Sequence, residues 1–158
     1  MISVATLEAY LTKNISELCP NSYANPNDNH CAHFVSHALG FRFGYTCGNM
    51  KRGPGPAACI RVQEVLHRCP VVGAWPSRPI VLIQCLVFIT KAANVNLTTR
   101  TMENVPRKHV GILLNDFIYH YSNSRHQVVR QTPEEFSHHY PAPSNAMFYG
   151  QLPFVPAL

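Results

Sequence analysis

The hydrophobic period changes along this chain, and the change restricts the fold more than any other feature of the sequence. In the first forty residues apolar side chains recur at spacings of three and four, as in Val4, Leu7 and Leu11, which predicts amphipathic helices. From Pro79 onward the apolar residues alternate or run together, which predicts strands. The order of the two patterns indicates an α+β fold, with helices first and an antiparallel sheet after them.

Two N-terminal helices are predicted. The first covers residues 3–18. The second runs from about Asn29 to Leu39 and ends at Gly40, because glycine readily adopts the left-handed conformation that follows many helices. Residues 41–79 are rich in Gly and Pro, and a long segment of this kind in a folded domain is typical of a site-forming insertion.

The second half is predicted to be a meander built around one hairpin. Asn115-Asp116 is a two-residue turn of the kind that hairpins favour, and apolar residues flank it on both sides. Residues 91–107 are too long for a tight connection and are predicted to be a second insertion. The elements predicted after Gly40 are a short helix at 58–67, strands at 80–90, 110–114, 117–122, 127–131 and 146–150, and a capped helix from Pro133 to about His138.

Length and composition predict one domain spanning residues 1–158. The chain is long enough to bury a core, and 46% of its residues are hydrophobic while 13% are charged, as in globular proteins. The longest apolar run, at 80–90, is shorter than the roughly 18–20 residues of a membrane span. The N-terminus has no basic segment followed by an apolar stretch, so we expect no secretory signal and a cytoplasmic site of synthesis.

The net charge of +5 favours anionic partners such as a cell-wall polymer, but the basic residues are scattered and no nucleic-acid motif accompanies them. We therefore expect no nucleic-acid partner. The cysteine pattern lacks a Cys-x2-Cys pair, which argues against a zinc finger or ribbon, and we expect buried reduced thiols with one reactive exception. The six cysteines are Cys19, Cys31, Cys47, Cys59, Cys69 and Cys85.

Cys31 is the candidate for that exception. It lies in the predicted first turn of the second helix, just after the turn-rich residues 25–28. The positive end of the helix dipole and the free N–H groups in a first turn favour an anion, so we expect its thiol to ionise easily. Such a thiolate becomes a catalyst when a base stands beside it, which suggests a cysteine hydrolase.

The hairpin supplies a candidate base. Counting outward from the turn, Gly111 opposes His120, and the alternation of strand side chains then puts His109 and His120 on one face as diagonal neighbours. A catalytic base is held in one tautomer by a third polar group. His120 is the first candidate for this third position and Asn123 the second.

Two other features remain open to more than one interpretation. His30, His33 and His37 share one helical face, and the i, i+4 spacing of the last two can chelate a metal, so a metal- or ligand-binding module is an alternative function. No carboxylate accompanies these histidines, so we expect a solvated face and no metal. Trp75 is assigned with equal weight to a substrate groove or to the core.

The order of these residues resembles the NlpC/p60 papain-like cysteine peptidases and the related CHAP amidases. In those families a cysteine opens a helix, a histidine begins a His-Val-Gly/Ala-Ile strand, and a polar residue on the next strand completes the site. The matching positions here are Cys31, His109 and His120. Residues 83–89 are similar to the strand that precedes the histidine, and Tyr23 is similar to an upstream tyrosine that lines the oxyanion region.

The resemblance covers roughly residues 20–40 and 80–125. The family sequence Asp-Cys-Ser-Gly reads His30-Cys31-Ala32-His33 here, and the usual Gly-Asp of the central strand reads Gln84-Cys85. These departures concern substrate specificity more than reaction type.

The resemblance implies a papain-like fold in which the nucleophile helix packs on a central antiparallel sheet. It also implies hydrolysis of an amide in the peptide stem of bacterial peptidoglycan, through a thioester and without a cofactor, with the oxyanion held by the Cys31 N–H and Tyr23. The resemblance then implies a muropeptide as substrate and leaves room for an immunity or inhibitor protein as partner. The reaction stays open, because an acyltransferase or a deamidase can use the same scaffold. The cellular setting also stays open: the protein is delivered to the cell wall by a non-classical route, or it acts on an intracellular amide.

Overall fold

The helices lie mainly in the first half of the chain, in agreement with its hydrophobic period. They are seen in a computed structural model that describes residues 2–141 and 143–155. In chain order the helices are α1 (Val4–Tyr10), α2 (Ile15–Leu18), α3 (Cys31–Leu39), α4 (Cys47–Met50), α5 (Val62–Arg68) and α6 (Pro133–Ser137).

The first predicted helix is divided into two. After α1 the chain turns at Thr12, which has a φ of 68°. The main chain there bonds to another part of the protein: the Thr12 N–H donates to the Val128 carbonyl and the Val128 N–H donates to the Lys13 carbonyl, each at 3.0 Å. Asn14 then starts α2, where its side chain accepts from the Ser16 N–H. The prediction of one helix over 3–18 is therefore wrong, because a long-range pairing and a new cap replace the helical bonds.

The second predicted helix is confirmed as α3. It ends at Gly40, whose φ of 76° is left-handed, as the sequence indicated. Its side chains Phe34 and Val35 are fully buried in the main core. The same core contains Val110 and Ile112 from the sheet, so α3 packs on the sheet face that these residues form.

A six-stranded antiparallel sheet forms the centre of the fold, in the order β1-β8-β2-β5-β6-β7, and β3 pairs with β4 outside it. The α+β class expected from the sequence is thus confirmed. The strands are β1 (Val72–Ala74), β2 (Gln84–Lys91), β3 (Val95–Asn96), β4 (Thr101–Met102), β5 (His109–Leu114), β6 (Phe117–Ser122), β7 (Gln127–Gln131) and β8 (Asn145–Gly150).

The central strand β2 begins four residues later than predicted. Ile80 and Val81 are 87% and 83% exposed in the preceding turn, so the apolar run there is not all core. From Cys85 to Thr90 the strand is buried, because both of its faces are covered. On the face away from α3, residues of β2 pack with Phe136 of α6 and Tyr149 of β8.

The hairpin turn is formed as predicted, although the pairing recorded between its two strands does not extend to the predicted Gly111–His120 pair. Leu114 pairs with Phe117 and Leu113 with Ile118 across the turn, and Asn115 there has a φ of 57°. Strand β7 and helix α6 also lie where the sequence predicted them, and the Thr132 side chain caps α6 by accepting from the Glu135 N–H.

The region 41–79 holds more regular structure than the single predicted helix, since α4, α5 and β1 all lie in it. The last strand, β8, lies between β1 and β2, a position that the sequence did not predict. In the part of the chain that the structure describes, no helix combines the length and apolar character that a bilayer crossing requires.

Candidate active site

The start of α3 is tied to the end of β6 by two asparagines. The Cys31 N–H donates to Oδ1 of Asn29 at 3.0 Å, and the Asn123 side-chain amide donates to the same oxygen at 2.9 Å. Oδ1 of Asn123 accepts from the His30 N–H at 2.9 Å. Asn123, the second candidate for the third position, therefore holds the helix that carries Cys31.

The Cys31 sulfur lies against the first residues of β5. Its thiol is 4.0 Å from the Lys108 carbonyl oxygen, and the Val110 N–H lies near enough to the sulfur to act against the rise of its pKa. Among the described residues, the pairing of β5 with β6 stops at Ile112 and Tyr119 and leaves the first three residues of β5, His109 to Gly111, unpaired with β6. The sulfur thus contacts the main chain on both sides of His109, where the two strands are no longer paired.

Burial dominates the chemistry of this thiol. Cys31 is 1% exposed, and burial raises its pKa to about 11. N–H groups of Val110 and Ala32 and the charge of Lys108 act in the opposite direction, but they do not compensate. The expectation of a low pKa at the helix start is therefore wrong for the structure as it stands, because desolvation outweighs the local donors.

The two predicted histidines meet, and Gln131 of β7 joins them. Nε2 of His109 is 2.8 Å from Nδ1 of His120, and Nε2 of His120 is 2.6 Å from Oε1 of Gln131. An amide oxygen accepts hydrogen bonds and does not donate them, so Nε2 of His120 carries a proton and its Nδ1 accepts from His109. The remaining nitrogen of His109, Nδ1, then bears a lone pair, and it has no hydrogen-bond partner among the described residues.

Both rings are held neutral by their surroundings. Burial lowers the pKa of His109 well below its usual value, and the neighbouring His120 and His139 lower it further. Burial lowers the pKa of His120 to about 4. Gly111 lies between them on β5, and a Cβ there would meet the Cβ of His120 at 3.1 Å, so the missing side chain leaves room for the pair.

The segment after α6 covers the two histidines. The His139 ring stacks on the His109 ring, with the centroids 3.9 Å apart and an interplanar angle of 18°. Phe136 packs its ring 5.1 Å from that of His120. Burial raises the pKa of Tyr140, and the neighbouring Cys31 raises it further. The site is therefore closed by residues 136–140.

One ring nitrogen from each of His109, His120 and His139 lies within 4.8 Å of the others, a spacing that also suits a metal. The stacked rings of His109 and His139 direct their in-plane lone pairs side by side rather than to one point. This geometry favours a hydrogen-bonded relay over a metal centre.

Tyr23 packs its ring against His30 and His33 of the α3 region. The Tyr23 hydroxyl donates to Asp28 at 2.5 Å, and its ring packs in a cluster with Cys19 and Cys47. The two donors that the resemblance assigned to an oxyanion hole, the Cys31 N–H and the Tyr23 hydroxyl, are thus both bonded to other groups. Trp75 is half-buried and lines a cavity of ≈ 600 Å³.

The histidine face of α3 is not solvated. His30 and His33 are buried, and His37 is half-buried. The expectation of a solvated face is therefore wrong, since the chain segments on either side of α3 fold over it.

No protein-family model, curated protein or solved structure matches this chain. What the geometry itself defines is an α+β protein with a buried cysteine at a helix start and a histidine relay on the adjoining strands.

Three residues of this site were not found from the sequence. Gln131 had a weak signal, because it pairs with Ile118 and so lies diagonally from His120 on the same face. His139 and Tyr140 had none, because their position depends on how α6 docks against the sheet.

Proposed function

We propose that this protein is a papain-like cysteine hydrolase of the NlpC/p60 type, with Cys31 as nucleophile, His109 as base and His120 as the group that orients the base. One observation carries the proposal. The relay from Gln131 through His120 leaves a lone pair on Nδ1 of His109 without a partner among the described residues, and the Cys31 sulfur lies 4.0 Å from the carbonyl oxygen of Lys108, the residue before His109. A buried polar atom without a partner is costly, so a functional role accounts for its retention.

The reaction proposed is acyl transfer to sulfur and then to water. As the Cys31 sulfur attacks an amide carbonyl, its proton passes to Nδ1 of His109. The C–N bond then breaks, and His109 returns the proton to the departing amine. Water, deprotonated by the same nitrogen, attacks the thioester, which releases the acid and restores the Cys31 thiol.

Catalysis on this scheme requires an open form. In the closed structure the Cys31 thiol is un-ionised and its N–H is bonded to Asn29. Displacement of residues 138–140 removes the burial that raises the Cys31 pKa, while the N–H groups of Val110 and Ala32 remain to favour the thiolate. We propose that the substrate displaces this segment when it binds, and that this displacement activates Cys31.

The proposed substrate is the peptide stem of peptidoglycan. A net charge of +5 suits an anionic polymer. The cavity lined by Trp75 also contains Ile89, which pairs with His109 across β2 and β5. Cross-strand partners face the same side of a sheet, so the cavity and the base share the face away from α3, and Cys31 meets β5 at the start of that strand. Apolar side chains such as Met147 dominate the cavity, and they suit the alkyl parts of a stem peptide.

The test is digestion of purified muropeptides by the wild-type protein and by Cys31→Ala, with products identified by mass spectrometry. We expect new stem fragments with the wild type and none with Cys31→Ala. The matched control is Cys85→Ala, which removes another fully buried thiol on the sheet face opposite α3. This control should keep the activity.

Two results would overturn the proposal: no cleavage across a set of stems of different composition, or equal cleavage by Cys31→Ala. Release of ammonia without a split stem would instead support the deamidase alternative on the same scaffold.

A further inference from the structure

A second cluster of side chains lies around the histidine face of α3. It joins Cys19, which follows α2, to His33 and His37 on α3 and to Cys47, the first residue of α4. One ligand atom from each of the four lies within 4.8 Å of the other three. The two cysteines and His33 are buried, and His37 is half-buried.

The two recorded distances lie within a few tenths of an ångström of the edges of a tetrahedron around a zinc ion. Nε2 of His33 is 3.1 Å from Nε2 of His37, and Sγ of Cys47 is 3.8 Å from Nε2 of His37. Zinc bonds of ~2.3 Å to sulfur and ~2.0–2.1 Å to nitrogen give ligand-to-ligand edges of roughly 3.3–3.8 Å.

A hydrogen-bond chain aims the His33 lone pair at the centre of this cluster. Nε2 of His30 donates to the Asn25 carbonyl at 2.7 Å, so Nδ1 of His30 is an acceptor. It lies 3.0 Å from Nδ1 of His33, which must therefore carry the proton. Nε2 of His33 is left with its lone pair and faces His37 and the cysteines. Histidine ligands of metals are commonly oriented through their second nitrogen in this way.

N–H groups surround the sulfur of Cys47. Sγ of Cys47 accepts from the Ala58 N–H at 3.3 Å and from the side-chain amide of Asn21 at 3.5 Å. Donors of this kind stabilise thiolates, the form of cysteine that binds a metal.

We propose that Cys19, His33, His37 and Cys47 bind one structural Zn²⁺ ion. The ligand set Cys2His2 is a closed tetrahedral set, with no position left for water or substrate, which is typical of a structural site. The ion fixes the loop before α3 and the segment 41–60 to the helix that carries Cys31. The site does not depend on the proposed hydrolase activity.

The first experiment measures the metal content of the tag-free, reduced wild-type protein by mass spectrometry of the elements after dialysis against a weak chelator. We expect about one zinc ion per chain in the wild type and less than about a tenth of this in Cys19→Ser and Cys47→Ser. Cys85→Ser is the matched control, since Cys85 is equally buried and lies outside the cluster, and it should keep its zinc.

The second experiment adds Co²⁺ to metal-free wild type and needs no variant to fold. Thiolate-ligated tetrahedral cobalt gives intense visible absorption and a thiolate charge-transfer band, and zinc should displace it. His37→Ala should weaken the cobalt binding by about tenfold or more. A wild type that contains no metal and gives no such spectrum would refute the proposal, as would a cross-linked Cys19–Cys47 peptide from the native protein.

Discussion

His139 lies flat against His109, the residue that we propose as the base, with the two rings 3.9 Å apart at their centroids. The stacking partner comes from the segment after α6, whereas His109 opens β5. The closed state of the site therefore depends on how a short helix and the three residues after it dock on the sheet.

Opening this segment should expose Cys31. We predict that Tyr140→Gly increases the rate at which iodoacetamide modifies Cys31 at pH 7.5 by tenfold or more, because burial is the main reason that its pKa is raised to about 11. Mass spectrometry of the peptides measures the rate of modification at each cysteine. Cys85, whose pKa burial also raises to about 11, serves as the control inside the same molecule. Equal acceleration at both cysteines would indicate general unfolding and would contradict the prediction.

Gln131 is predicted to be a positioning residue for the histidine relay. Gln131→Leu removes the acceptor of the His120 N–H and leaves a buried donor unpaired, at a cost of about 1–3 kcal/mol of stability. Since His120 then no longer holds His109 in one tautomer, kcat should fall about tenfold or more with little change in KM.

Gln131→Glu retains an acceptor and should restore much of the activity. Nitrogen-15 spectra of the imidazoles report the tautomer directly, and a purely structural role for Gln131 would leave the His109 tautomer unchanged in Gln131→Leu.

The buried histidines should make the fold sensitive to acid. The folded pKa of His120 is lowered to about 4, so below about pH 6.5 the unfolded chain binds a proton that the folded chain does not. The contribution of such a group to the free energy of unfolding is fully present above pH 6.5. It decreases by about 1.4 kcal/mol for each pH unit below that value. Urea titrations between pH 7.5 and 5 measure this slope.

We expect the free energy of unfolding of His120→Gln to depend less steeply on pH than that of the wild type, by the uptake of roughly one proton. His126→Asn is the control, because His126 is exposed and its left-handed backbone, with a φ of 53°, suits asparagine. An identical slope for wild type and His120→Gln would contradict the assignment of a neutral, buried His120.

Trp75 should contribute to substrate binding. Its ring lines the cavity on the face of the sheet that carries His109, so Trp75→Ala should raise KM about tenfold while kcat changes little. Trp75→Phe, which keeps an aromatic ring in the cavity, should recover most of the loss. A fall in kcat with unchanged KM would argue that Trp75 is a core residue and not part of a groove.

Much of the local structure could be predicted from the sequence. The hairpin turn at Asn115, the α3 stop at Gly40 and the capped start of α6 depend on residues close together in the chain, and all three are confirmed. The contact between His109 and His120 could also be predicted from the sequence, because it follows from strand alternation and the position of one turn.

Other features depended on contacts between distant segments. The break after α1 results from pairing with Val128, and the position of β8 in the sheet depends on the pairing of strands far apart in sequence. The pKa of Cys31 is the clearest case, since the helix start alone favours a thiolate while the surrounding core removes the water that would stabilise it.

The sequence by itself therefore determined where helices and strands form and which side chains share a strand face, because these follow from short-range periodicity and turn chemistry. The tertiary structure decided which groups are desolvated and which distant side chains converge. Burial and convergence depend on the packing of whole elements, and for that reason the cover over His109 and the cluster of Cys19 with Cys47 became visible in the fold alone.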